Sequence, residues 1–301
     1  MYVYMSQVLF LQIIYYGSYV VAAFLLWKFL KRLRAWKILG ILFWWLFSWL
    51  FIRARFIEPQ QINVQETRLD VWFEKNIVLL ADLHLGVYKS SDYLQRVINK
   101  INSLENIDAV VIAWDLTNEP VDISQKALTE VFVPLSQSIY PVYAVLGNHD
   151  VEIPWPDLRR NLIEALTSNN VTFLHNDIVR LDQVYLAWLW PHLAWEDNIQ
   201  ILDVFEESDD LVVLTHNPDT IIWYDTQKIA DVTLVWHTHC GQIRFERLPA
   251  LYKRAIPTVG DFDCGIYNDL YTKLYITPWL WEVVLPMRFL NPPTIDVLRL
   301  R

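Results

Sequence analysis

Several short apolar runs of this 301-residue chain end in acidic, amide or imidazole side chains, and this recurring feature constrains the fold more than any other. The runs IVLLA, AVVIA, PVYAVL, LVVL and VTLV have the length of buried strands. The segments between them are amphipathic, as in a layered α/β domain. Because open α/β sheets carry ligand crevices at the carboxyl ends of their strands, we expect the polar residues to gather at one edge.

These strand-end residues form one candidate site. They are Asp82, His84, Asp115, Asn148, His149, His216, His237 and His239, which include five of the seven histidines. A single histidine beside a strand is usually a hydrogen-bonded structural residue, whereas so many ligand side chains at strand ends predict a metal site. Mixed carboxylate, amide and imidazole ligands suit Mn²⁺, Fe or Zn²⁺ better than Ca²⁺.

Periodicity predicts the remaining elements from residue 61 onward. Strands are expected at 76–82, 107–114, 141–146, 184–190, 211–216, 232–236 and 273–277, and helices at 91–105, 157–168 and 217–226.

The first 60 residues are predicted to be a membrane anchor, separate from a domain at 61–301. The run 8–27 is uncharged and long enough to cross a bilayer, and a second apolar run covers 38–53. Basic residues between the runs place that connection in the cytoplasm and the domain on the extracytoplasmic face. The alternative is a second run that lies in the membrane interface, which leaves the domain on the cytoplasmic face.

The net charge of −9 is unevenly distributed. Residues 1–60 hold seven basic side chains and one acidic side chain, so they carry +6 and the rest of the chain carries −15. An acidic domain repels nucleic acid phosphates, and no nucleic acid partner is expected. The two cysteines, Cys240 and Cys264, match no zinc pattern; we expect buried free thiols, with a disulfide as the alternative.

Five ordered blocks, ADLHLG, AWDLTN, VLGNHD, LTHNPD and WHTHCGQI, resemble the calcineurin-like metallophosphoesterases, specifically their bacterial membrane-associated branch. The resemblance covers about residues 74–300. It implies a four-layer α/β/β/α sandwich of two mixed sheets, here preceded by an N-terminal transmembrane helical hairpin. It also implies a hydrolase of phosphodiesters or phosphomonoesters. Because the predicted anchor tethers the domain beside a bilayer, we expect the bilayer as a partner and lipid head groups among the candidate substrates. We rank a protein phosphatase below these two classes of phosphoester hydrolase.

The resemblance also assigns the ligands of two divalent metal ions. Asp82, His84, Asp115 and His239 would hold the first ion, and Asp115, Asn148, His216 and His237 the second. Two cations about 3.5 to 4 Å apart can share a hydroxide, lower its pKa and clamp the phosphoryl oxygens. His149 would donate a proton to the leaving oxygen, with Asp150 as its orienting partner.

Tryptophan replaces glycine at several positions of the family pattern. The chain has 15 Trp and 7 Gly, and Trp114, Trp188, Trp236, Trp279 and Trp281 stand where glycine is expected. We hypothesise that the source organism reads the codon UGA as glycine, and that the gene was translated with a code table that reads UGA as tryptophan. Mass spectrometry that finds tryptophan at positions 114 and 236 of the native protein would refute this hypothesis. If the tryptophans are real, the alternative is a catalytically degenerate, membrane-anchored binding or scaffold protein that retains the fold.

Overall fold

The structure is a computed structural model. It describes residues 2–32, 38–113, 115–118, 122–151, 156–189, 199–206, 208–215, 218, 230–235, 242–244, 262, 264–268, 272–277, 280, 282 and 285–301, and for 2–7, 38–39, 118, 148–149 and 199 the backbone alone.

Six α-helices and fourteen strands form the described part of the chain. The helices are α1 (Tyr2–Arg32), α2 (Ile38–Ile52), α3 (Ser91–Asn102), α4 (Gln125–Phe132), α5 (Asn148–Val151) and α6 (Arg159–Ser168). The strands are β1 (Asn63–Leu69), β2 (Lys75–Ala81), β3 (Leu85–Gly86), β4 (Ala109–Ala113), β5 (Thr117–Asn118), β6 (Val142–Val145), β7 (Val171–Phe173), β8 (Ile178–Leu181), β9 (Val184–Trp188), β10 (Leu211–Leu214), β11 (Val232–Val235), β12 (Gly265–Tyr267), β13 (Lys273–Ile276) and β14 (Thr294–Leu300).

The first sheet has the order β1-β14-β2-β4-β6-β7. Strands β2, β4, β6 and β7 run parallel, and β14 is antiparallel to β2. The register pairs Ala81 with Ala113 and Ala113 with Val145, so three neighbouring strands end level with one another. Their near-continuous apolar sequences are buried, as expected of strands covered on both faces.

The second sheet has the order β12-β13-β11-β10-β9-β8. Its four central strands are parallel and its two edge strands antiparallel. Two mixed sheets with helices confirm the predicted fold class. Trp188 ends β9 with its indole fully buried in the main core, and its backbone does not take a positive φ angle.

Helix α3 shows how the helices attach to the first sheet. Its buried residues Tyr93, Leu94, Val97, Ile98 and Ile101 recur at helical spacing and join the core that contains β2 and β4. The opposite face of α3 is polar and exposed. Burial of such an apolar face contributes about 1.5 to 3 kcal/mol for each large side chain.

Helices α1 and α2 form an antiparallel pair. Two helical segments, Val8–Arg32 in α1 and Gly40–Gln60, which continues α2 through the turns that follow it, are long and apolar enough to cross a membrane. Most large side chains of α1 and α2 are exposed. The Arg32 guanidinium lies over the Trp44 ring near the connection, and Arg55 donates to the Ser18 hydroxyl at the other end. Because α2 is much shorter than α1, the first half of α1 extends beyond it towards the domain.

A π-helical turn at Arg53–Ile57 joins this hairpin to the domain. The Arg288 backbone N–H donates to the Ala54 carbonyl, and the Asn291 N–H donates to the Glu58 carboxylate. The last fourteen residues, 288–301, are therefore bonded both to the turn after the hairpin and, through β14, to β1 and β2 of the first sheet.

Some element boundaries differ from the predictions. Each predicted strand ends one or two residues earlier in the structure. The predicted helix at 217–226 lies outside the described residues, and the division into an anchor at 1–60 and a domain at 61–301 remains a prediction. Cys264 is disulfide-bonded, so the expectation of two free thiols is wrong.

Candidate metal centre

Two loops at the carboxyl edge of the first sheet supply the described part of the site. Asp82 and His84 follow β2, and Asp115 follows β4. All three have positive φ angles of 50°, 40° and 43°, a region that costs non-glycine residues on the order of 1 kcal/mol or more. Hydrogen bonds between the two loops stabilise these backbone conformations. The Asp82 N–H donates to the Ala113 carbonyl at 3.0 Å, and the His84 N–H donates to the Asp115 carbonyl at 2.7 Å.

The three side chains meet in a buried cluster. One ligand atom of each lies within 4.8 Å of the others, and His84 Nε2 is 3.7 Å from Asp115 Oδ2. Their residues are at most 1% exposed. Two carboxylates and an imidazole that converge inside a protein match the donor set of a divalent transition metal, so these residues fit such an ion.

Gly147 shapes the wall beside Asp115. A Cβ atom at position 147 would overlap both the Asp115 Oδ1 atom and the Asp115 backbone nitrogen. Only glycine lets the loop after β6 approach the Asp115 carboxylate this closely.

Asp150 ties the loops after β4 and β6 together. Its Oδ1 accepts from the Thr117 N–H at 3.0 Å and the Thr117 hydroxyl at 2.8 Å. Its Oδ2 accepts from the Leu116 N–H at 3.0 Å and the Gly147 N–H at 2.9 Å. The carboxylate thus anchors the backbone on either side of the cluster.

Burial dominates the electrostatics of the centre. Burial raises the pKa of Asp82 well above its usual value, and the nearby Asp150 carboxylate raises it further. Burial also raises the pKa of Asp150, to about 6, against the lowering effect of its hydrogen bonds. A divalent cation held by Asp82, His84 and Asp115 would supply positive charge that stabilises both carboxylates.

The other predicted site residues are described only in part. Asn148 and His149 begin the short helix α5 directly after Gly147, so their backbone borders the cluster. His216, His237 and His239, together with Trp114, Trp236, Trp279 and Trp281, lie outside the described residues. Strands β10 and β11, which precede the three histidines, are both present in the second sheet.

Sequence reasoning missed two parts of this centre. The structural role of Gly147 and the contacts of Asp150 with Thr117 depend on loops that are over 30 residues apart in the chain. A glycine directly before Asn148 was the available signal, since glycine is used where two stretches of backbone approach closely.

Comparison with known proteins identifies the family. A family model described as calcineurin-like phosphoesterase matches residues 75–241, more than half of the chain. The chain belongs to this family. The family uses divalent metal ions, which agrees with the cluster of Asp82, His84 and Asp115. The predicted family is confirmed, and the similar proteins include bacterial metallophosphoesterases.

Relatives occur in bacteria and animals. This metallophosphoesterase is 31% identical over 233 residues to an uncharacterized metallophosphoesterase of Campylobacter jejuni, which covers 75% of this chain and 59% of the relative. A Helicobacter pylori metallophosphoesterase is 27% identical, over 75% of this chain and 60% of its own. A zebrafish transmembrane protein with metallophosphoesterase domain is 29% identical over 70% of this chain and 50% of its own length. The chain thus spans 60% or less of the length of these relatives.

Proposed function

We propose that this metallophosphoesterase hydrolyses phosphoester bonds of substrates held at a membrane, lipid head groups included. The observation that carries the proposal is the buried cluster of Asp82, His84 and Asp115 at the carboxyl edge of the first sheet. Membership of the family supports hydrolase chemistry. The two apolar N-terminal helices support membrane association.

The ligands follow the family pattern. Asp82, His84, Asp115 and His239 would hold one ion and Asp115, Asn148, His216 and His237 the other, with Mn²⁺, Fe or Zn²⁺ as candidates. Such ions supply Lewis-acid stabilisation of the phosphoryl oxygens and lower the pKa of the attacking water.

His149 and Asp150 complete the proposed machinery. His149 donates a proton to the leaving oxygen as the phosphoester bond breaks. Asp150 positions it through the backbone, because its carboxylate is hydrogen-bonded to the turn from which α5 starts.

A change of Asp115 tests the proposal. Full-length protein in detergent with Mn²⁺ should hydrolyse a bis-nitrophenyl phosphate, and Asp115→Asn should reduce kcat by at least about a hundredfold, because the predicted bridging carboxylate is lost. Asp70→Asn, which removes an exposed acid, should leave the rate unchanged. Equal rates in Asp115→Asn and the wild type would refute the proposal.

We also propose that the domain lies on the extracytoplasmic face of the cell membrane, behind a two-pass anchor. The basic connection between the helices and the disulfide-bonded Cys264 support this placement, since disulfides persist in oxidising compartments. A reporter fused at residue 70 decides between the two faces: a signal restricted to cytoplasmic reporters would place the domain in the cytoplasm.

A non-catalytic scaffold is the second candidate. The tryptophans at positions where the family has glycine favour it. Turnover by the wild-type chain in the experiment above excludes it, whereas a folded chain that binds metal without turnover would support it.

A further inference from the structure

A polar cavity of about 140 Å³ lies where the helical hairpin meets the domain, outside the metal centre. Its wall includes Tyr15, Tyr19 and Arg55 from the hairpin side and Tyr88, Lys89 and Glu282 from the domain. The Tyr15 and Tyr88 rings stack at 5.5 Å across the junction. We refer to this space as the junction cavity.

We propose that the junction cavity binds the phosphate group of an anionic phospholipid of the surrounding membrane. The ligand site is built by the anchor and the domain together. Neither the family assignment nor the proposed catalytic reaction accounts for it.

Arg55 is the first reason for this assignment. Its side chain is buried, with the guanidinium 4.6 Å from the Tyr15 ring centre and 5.1 Å from that of Tyr19, and it donates to the Ser18 hydroxyl at 2.5 Å. Among the residues that the structure describes, no carboxylate forms an ion pair with Arg55. A buried cation is costly without a counter-charge, and a guanidinium is suited to bind phosphate oxygens.

The charge balance of the opposite wall is the second reason. Lys89 Nζ donates to the Leu280 carbonyl at 2.9 Å and to Glu282 at 3.2 Å. Glu282 is also paired at 3.1 Å with Arg288 behind it. Arg288 also faces the buried Glu58, and burial lowers the pKa of Lys89 to about 7. Among the described residues, the charge of the junction cavity that no carboxylate balances is therefore that of Arg55. The Tyr19 hydroxyl donates to the Tyr15 hydroxyl, which leaves the Tyr15 O–H as a hydrogen-bond donor for an anion.

An adjacent apolar groove indicates that the phosphate belongs to a lipid. A second space of about 190 Å³ lies between α1 and α2, lined by Ala22, Leu25, Phe29, Trp45, Trp49 and Ile52. It begins about one helical turn from Tyr19 on α1 and from Arg55 beyond α2. A lipid whose phosphate occupied the junction cavity could lay an acyl chain along this groove.

Exposed apolar side chains on the domain side agree with a membrane position for the junction. Ile57, Leu285 and Leu290 are all more than 40% exposed. The segment that holds the latter two is bonded to the π-helical turn through Arg288 and Ala54. Such residues at the base of the domain fit a surface in contact with lipid.

Native mass spectrometry of full-length protein in detergent tests the proposal. The protein, with chelator present to prevent turnover, is titrated with phosphatidylglycerol and with phosphatidylcholine. We expect tighter retention of phosphatidylglycerol by the wild type and an about tenfold loss in Arg55→Gln, which removes a charge-assisted contact. Arg53→Gln is the matched control because it removes an equal charge two residues away, from a side chain already paired with Glu58.

Each outcome decides the question. Equal retention of the two lipids by the wild type would overturn the proposal without any variant, even if Arg55→Gln fails to fold. Equal losses in the two arginine variants would also overturn it, since they would show a general surface effect. Arg55-dependent binding of soluble glycerol 3-phosphate as tight as that of phosphatidylglycerol would show a phosphate site that does not select a lipid.

Discussion

Single residues set the geometry of the metal centre through backbone conformations that their types do not favour. Asp82, His84 and Asp115 all have positive φ angles, and Gly147 stands against Asp115 where no side chain fits. Three of the eight described non-glycine residues with positive φ angles are therefore predicted metal ligands. Strain of this kind is concentrated at functional sites, where the surrounding hydrogen bonds hold it.

Gly147→Ala should weaken metal binding. The added methyl group would overlap Asp115, so the carboxylate or the loop after β6 has to move. We expect at least about a tenfold loss of bound metal, measured by elemental analysis after dialysis. Gly40→Ala is the control, because a Cβ at position 40 meets no atom within 4 Å; full metal content in Gly147→Ala would contradict the interpretation.

Asp296 makes stability depend on pH. Burial raises its pKa to about 7, although Tyr275 and the Thr277 hydroxyl, which donates to it, counteract the shift. Between the ordinary pKa near 4 and about 7 the folded protein keeps a proton that the unfolded chain releases, so this residue's contribution to stability is lost as pH rises through that window.

Asp296→Asn should remove that dependence. The thermal midpoint of the wild type should fall relative to the variant between about pH 4 and pH 7, and the difference should stay constant above it. Thermal unfolding at several pH values measures this, with the exposed Asp70→Asn as the control. Parallel curves for the wild type and Asp296→Asn would refute the assigned pKa shift.

At the level of elements, the loops after β4 and β6 act as one unit. The Asp150 carboxylate accepts hydrogen bonds from three backbone N–H groups and a hydroxyl in these two loops. Helix α5 has four residues and cannot hold its own position. Its place beside the metal ligands therefore depends on this carboxylate.

Asp150→Asn should loosen both loops. An amide has one acceptor oxygen, so some of the four donors lose their partner, at a cost of about 1 to 3 kcal/mol for each buried group. Denaturant unfolding should show the loss of stability, and activity should fall with it. The control is Asp157→Asn, which affects one exposed hydrogen bond to the Arg159 N–H and should change the free energy of unfolding little. Equal stabilities of the two variants would show that the Asp150 carboxylate does not stabilise the two loops.

At the scale of the molecule, local sequence predicts the buried strands and fails where distant segments meet. The apolar runs of β2 and β4 indicated strands, and their polar ends indicated the site. Strand β1, with the sequence NVQETRL, has little apolar pattern and owes its place to parallel pairing with β14, over 200 residues away. The close approach of Gly147 to Asp115 is equally non-local. Neighbouring residues therefore could not show that position 147 requires glycine.

The unequal lengths of α1 and α2 have a mechanical consequence. With Arg55 bonded to Ser18 and Tyr15 stacked on Tyr88, the domain is attached to the middle of α1 as well as to the π-helical turn after α2. If α1 crosses the bilayer, the domain cannot rise or swing away from the surface on a tether. Its catalytic edge would then stay at one height above the lipids, and only bonds presented at that height would be cleaved.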